Sequence, residues 1–158
     1  LYKNAKTMGA DLDGVAQQTP SFFVWAVRDS YTAPLQRVQI IKGYVDASGN
    51  PQEQVFDVAC SDGGSPDPET YRCPDNNAKV DISNCAFSHD VGAAELKTFW
   101  SDPTFKTDQR AFYYVRALEN PTCRWSTWDA VRNNVEPRSD IPKTIQERVW
   151  SSPIHYIP

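Results

Sequence analysis

Apolar side chains recur with a period of two along several stretches of the chain, the pattern of strands with one buried face. SFFVWAVRD (21–29) is one such stretch. QRVQIIKGYVD (36–46) is a second, placing Val38, Ile40 and Lys42 on one face and Arg37, Gln39 and Ile41 on the other. EQVFDVAC (53–60) divides in the same way into Val55, Asp57 and Ala59 against Phe56, Val58 and Cys60. Between these two, Ala47-Ser48-Gly49-Asn50-Pro51 carries the Gly, Asn and Pro of a chain reversal, so the pair reads as a β-hairpin. RAFYYVRALE (110–119), with aromatic and β-branched residues on both sides, is the strongest single strand. KVDIS (79–83) and PIHYI (153–157) are shorter candidates.

Helical spacing is scarce. GAAELKTFW (92–100) puts Leu96, Phe99 and Trp100 at i, i+3 and i+4, which predicts two helical turns after Gly92. STWDAVRNN (126–134) opens with Ser126 as an expected N-cap and Asp129 three residues on. Twelve prolines and seven glycines fall mostly between the patterned segments. The expected fold is therefore mainly β, an antiparallel β-sandwich with one or two short helices. Residues 1–20 are polar and weakly patterned and read as a connector from an upstream domain, leaving 21–158 as the sandwich. A chain that opens at Leu1, with Met8 its one methionine, reads as a processed product or as part of a longer polypeptide.

Composition narrows the partners. A net charge of −4, with Lys and Arg scattered, argues against a nucleic-acid binder. No apolar run approaches the ~20 residues of a membrane span. Cys60, Cys73, Cys85 and Cys123 make an even set, which suits two disulfides in an oxidising compartment, periplasmic or secreted. Four cysteines allow three pairings. Cys60–Cys73, closing the loop CSDGGSPDPETYRC, is favoured, and Cys85–Cys123 then follows. The spacing lacks the close pairs typical of a zinc site.

Candidate chemistry is thin. The sequence has no G-x-S-x-G elbow, P-loop or G-x-G-x-x-G. His89 reads as a surface-loop residue and His155 as a strand-face residue. A calcium loop over Asp62–Asp67 lacks the usual ligand spacing. In ENPTCRWSTWD (119–129), Arg124 is suited to hold a phosphate bidentately, with Trp125 and Trp128 as a stacking wall. The alternative reading has the two tryptophans closing the end of the sandwich and Arg124 paired with Glu119 or Asp129. Lys42, beside Gly43, reads as a solvated lysine.

The blocks FFVWAVRDSYTAPLQRVQIIKGYVD, EQVFDVACSDG, GAAELKTFWSDPTF, QRAFYYVRALENPTCRWSTWDA and ERVWSSPIHY, in this order, resemble the C-terminal region of a bacterial family of unknown function. That family is related to the polymerase-and-histidinol-phosphatase (PHP) hydrolases. The resemblance implies an exported protein whose upstream domain hydrolyses a phosphate ester with divalent metals. It makes that domain of the same polypeptide the partner of this region, which by itself binds no cofactor and is not catalytic. Asp11, in TMGADLDG, resembles the acid of the family's late metal-ligand motif, but Leu12 and Asp13 follow where a histidine is expected. Two other roles fit a β-sandwich with five tryptophans and seven tyrosines. One is a carbohydrate-binding module with aromatic platforms. The other is an assembly module whose strands pair with another chain, a second copy included.

Overall fold

The computed structural model describes residues 5–13 and 18–158, which form twelve strands and one helix. In chain order these are β1 (Asp11–Asp13), β2 (Ser21–Val27), β3 (Leu35–Val45), β4 (Pro51–Cys60), β5 (Val80–Asp81) and β6 (Ala86–Phe87). There follow β7 (Glu95–Ser101), β8 (Ala111–Glu119), β9 (Thr122–Cys123), α1 (Trp125–Arg132), β10 (Thr144–Ile145), β11 (Arg148–Trp150) and β12 (Ile154–Ile157). The main sheet runs β1-β12-β8-β3-β4, with β11 also paired to β8. Its pairs are antiparallel except β1 with β12, which are parallel. Within the polar N-terminal stretch, then, Asp11–Asp13 add an edge strand, and Leu12 packs against the core.

A second layer, the antiparallel ribbon of β2 and β7, covers one face of the main sheet. Val24 and Leu96 from the ribbon meet Val38, Ile40, Phe56 and Tyr113 from the sheet, and Phe22 and Trp100 fill the seam. Fully burying side chains such as Val38, Ile40 and Phe56 contributes about 1.5–3 kcal/mol each. The result is the expected mainly β, sandwich-like architecture. The hairpin of β3 and β4 forms as the Ala47–Pro51 turn predicts.

Three local expectations are corrected. Residues 95–101 are strand β7 rather than helix. Leu96 and Trp100 point inward while Phe99 is exposed, so the spacing that suggested a helix mixes two faces of a strand. The helix near the C-terminus begins at Trp125, and its N-cap is Arg124, not Ser126, with no side-chain cap bond. The Arg124 carbonyl instead accepts the Thr127 and Trp128 N–H groups. Finally, the alternation along β4 breaks after Asp57. The register slips between Val38 and Gln39, leaving Val58 as an extra residue on β4. Val58 and Ala59 both pack on the core, while Asp57 and Cys60 lie opposite the outward-facing Gln39 and Arg37.

Both expected disulfides are present, Cys60–Cys73 and Cys85–Cys123. They suit an oxidising compartment. The first carries residues 61–72 around the free edge of β4, where the Asp57 N–H donates to the Tyr71 carbonyl at 2.9 Å and closes an otherwise open sheet edge. No helix among the described residues is long and apolar enough to cross a membrane.

Candidate functional site

Of the residues singled out in the sequence, the fold brings Asp11 and His155 side by side and builds no common site from the rest. Asp11 and His155 are register partners on β1 and β12, both exposed on the sheet face away from the core. The side chain of Asp13 lies outside the described residues. No group of three or more His, Cys, Asp or Glu placed to hold a metal occurs among the described residues. His89 is exposed and packs its ring on Phe87 at 4.3 Å. The Asp62 and Asp67 carboxylates serve different loops. Asp62 takes the Ser61 hydroxyl, the Gly92 N–H and the Asn76 amide, which hold it below its ordinary pKa. Asp67 takes the Thr70 N–H and hydroxyl and the Glu69 N–H, with the same effect.

Arg124 sits where β9 runs into α1. Its Nε is buried without a hydrogen-bond partner among the described residues, and it forms neither of the ion pairs considered for it. Trp125 is 77% exposed, and Trp128 is half-buried with Arg132 over its ring. Among the described residues the two indoles make no ring contact with each other.

Lys42 is the clearest reversal. It is 2% exposed rather than solvated, because it occupies the core-facing register of β3 beside Tyr113 of β8. Its ammonium bonds the Asp102 carboxylate at 2.6 Å and the Thr104 carbonyl at 3.0 Å. Tyr113 donates to the same carboxylate at 2.7 Å, and the Thr104 N–H and hydroxyl complete it at 2.8 Å each. Burial alone pushes the Asp102 carboxyl up, but these hydrogen bonds outweigh it and hold the group below its ordinary value. Burial and the adjacent carboxylate push the Tyr113 hydroxyl far above its own.

Two surfaces carry chemistry that the sequence did not reveal. The first is the outer face of the β2–β7 ribbon. Phe23, Trp25, Val27 and Phe99 are 52%, 60%, 66% and 63% exposed there. Phe23 and Phe99 are register partners with ring centroids 4.8 Å apart. The polar groups within this face already have partners. Trp25 Nε1 donates to Glu95 at 3.0 Å, Lys97 pairs with Glu95 at 2.9 Å, and the Lys97 ammonium lies over the indole. Those bonds, the Lys97 one foremost, hold the Glu95 carboxyl below its ordinary value. Ser21 and Ser101, bonded to each other, close the opposite end.

The second surface lies on the far side of the sandwich, on the main-sheet face opposite the core. A cleft of about 350 Å³ is bordered there by Arg37 and Gln39 of β3, Asp57 of β4, Arg116 of β8 and the Arg72–Asp75 segment that follows the β4 edge. Beneath it Asp57 accepts from Gln39 at 2.6 Å and from the Cys73 N–H at 2.8 Å, with Arg37 and Arg72 each at 3.8 Å. Arg116 donates its Nε–H to Gln39 at 2.7 Å. Further along the same face Phe112 lies on Gly43, where a Cβ would meet its ring at 2.1 Å, and stacks at 6.4 Å with Tyr114. The one sequence signal for the cleft is the row of polar residues, Arg37, Gln39, Asp57 and Arg116, inside otherwise apolar strands.

Comparison with known proteins gives one result. A sequence model of a family described as "Protein of unknown function (DUF3604)" matches residues 1–158. No curated protein matches, and no solved structure matches.

Proposed function

Because the chain belongs to the DUF3604 family of proteins of unknown function, its role must be argued from its surfaces, and we propose that it is a non-catalytic accessory β-sandwich. On this reading it belongs to an exported metal-dependent hydrolase of the phosphoesterase type. It seats on the catalytic portion of the same polypeptide through the outer face of the β2–β7 ribbon. The observation that carries the reading is the continuous exposed patch of Phe23, Trp25, Val27 and Phe99.

Contiguous exposed apolar faces with polar margins mark interaction surfaces. Two features favour a protein partner over a sugar. Sugar recognition needs free donors and acceptors beside the aromatic plane, yet the Trp25 N–H, Glu95 and Lys97 already satisfy one another. Two of the four apolar side chains are phenyl rings packed on each other, and a third is aliphatic, which suits a dry contact. A partner held on the same polypeptide also binds at high effective concentration, so a modest patch suffices.

Hydrogen exchange on the full-length polypeptide and on these 158 residues alone tests the proposal. The backbone of β2 and β7 is expected to exchange more slowly in the full-length protein, and Trp25→Ser with Phe99→Ser is expected to abolish the difference. Equal exchange in both would refute docking through this face. Concentration-dependent protection in the isolated chain would assign the face to a second copy. Protection by a soluble polysaccharide would assign it to carbohydrate binding.

A further inference from the structure

We infer that the cleft bordered by Arg37, Arg72 and Arg116 binds a tetrahedral oxyanion, the phosphate or sulfate group of a small ligand. Three guanidiniums from separate parts of the chain converge on one opening of about 350 Å³. That volume lies at the small end of ligand pockets. Arg37, Arg72 and Arg116 share the lining with two carboxylates, Asp57 and Asp75, which leaves one positive charge in excess. The chain as a whole carries −4, so this is a local concentration of the opposite sign.

The carboxylate in the floor does not use up the arginines. Asp57 is already bonded by Gln39 and by the Cys73 N–H, and Arg37 and Arg72 approach it only to 3.8 Å, beyond hydrogen-bond length. Arg37 bonds the Gln36 side chain and Arg72 the Val55 carbonyl, each through one nitrogen. Arg116 spends its Nε–H on Gln39 and makes no ion pair among the described residues. Each guanidinium has five N–H donors in a fixed fork, so most of them remain available.

These contacts also fix the geometry. Gln39 is 5% exposed and bridges Asp57 to Arg116, so a buried amide holds one fork in place. The Cys60–Cys73 bridge ties down the strand end and loop from which Arg72 projects. Positioning of this kind lowers the ordering cost of binding. The number of forks favours a tetrahedral anion. A planar carboxylate offers two oxygens in one plane, whereas a phosphate or sulfate group presents three or more oxygens out of one plane to forks from different segments.

Titrating the protein at low ionic strength with sodium phosphate, and separately with sodium sulfate, while following amide and arginine Nε–H resonances, tests the inference. Saturable shifts are expected around residues 36–39, 55–57, 72–75 and 116. Arg116→Gln is expected to weaken binding about ten- to hundredfold, the value of a charged hydrogen bond. Arg124→Gln, at the start of α1, is expected to leave it unchanged. A repeat with glycerol phosphate separates an esterified group, which binds more tightly than the free ion, from the ion itself, which binds equally.

Identical shifts with sodium chloride at matched ionic strength would overturn the inference. So would affinity unaltered by Arg116→Gln, or shifts centred on Arg124. Should Arg116→Gln fail to fold, the position of the shifts in the unaltered protein decides the question. This outcome is independent of the ribbon face, which lies on the other side of the sandwich.

Discussion

Asp57 and Asp102 are both buried carboxylates, and the groups around them differ in a way that separates structure from recognition. Around Asp102 every strong donor is consumed internally, with Lys42, Tyr113 and the two Thr104 donors bonded to it and the Lys42 ammonium itself buried. Around Asp57 the short bonds come from the uncharged Gln39 and Cys73 groups, while Arg37 and Arg72 stand off at 3.8 Å and stay partly open to solvent. A closed network fixes the fold. An open one with spare donors receives a ligand. The comparison predicts that damage to the first appears as lost stability, and damage to the second as lost binding.

The largest expected effect is at Lys42. Lys42→Met removes the ammonium and leaves the Asp102 charge buried with neutral donors only. Breaking one side of a buried pair costs about 3–5 kcal/mol, a large share of the ~5–15 kcal/mol that holds a domain together. Urea denaturation of the variant checks it. The double variant Lys42→Met with Asp102→Asn is expected to recover much of the loss, because replacing both charges removes the uncompensated one. A loss below about 0.5 kcal/mol, the range of ordinary surface substitutions, would show that the network is not closed.

This pair also shows what the sequence conveyed and what it concealed. The alternation in residues 36–46 correctly set Lys42 on the face of Val38 and Ile40, but alternation alone does not supply a buried partner. Asp102 lies sixty residues on, just before a turn. β3, β4 and β8 were legible because apolar side chains alternate or crowd there. β7 was not, because Phe99 faces outward and its apolar side chain counterfeits helical spacing. The arginine cleft was legible only as isolated polar residues within apolar strands, for a different reason. Arg37, Arg72 and Arg116 are far apart in sequence, and only the strand register and the first disulfide bring them together. Both disulfides, by contrast, followed from a short loop and an even count.

An intermediate effect is expected from pH. The Asp102 carboxyl is held below its ordinary value of 3.8, so its contribution is complete above that pH and is lost as pH falls through the lowered value of the folded state. The Tyr113 hydroxyl is raised, so its contribution is complete below the ordinary value of 10.0 and is lost as pH rises beyond it. Melting temperature is therefore expected to hold through the neutral range and to fall at both extremes. In Lys42→Met the Asp102 carboxyl loses the largest of the contacts that lower it, while the burial that raises it remains. The gap between variant and parent should then narrow as pH falls and Asp102 takes up a proton. A gap independent of pH would mean that the cost of Lys42→Met is lost packing rather than lost charge.

The smallest expected effect on stability is at Arg116, and it is the most discriminating for the open network. Arg116 is half-buried and donates one bond to Gln39, without a carboxylate partner among the described residues. Arg116→Gln retains an amide donor for Gln39 and removes only the fork that faces the cleft. The melting curve is expected to move by no more than the ~0.5 kcal/mol of a surface change. Asp57 keeps its Gln39 and Cys73 bonds and both nearby guanidiniums, so nothing buried is left unpaired. A loss of several kcal/mol would place Arg116 within the structural support of Asp57. The two carboxylates would then both be structural sites, and the phosphate-induced shifts in the unaltered protein would alone decide whether the arginines also meet an anion.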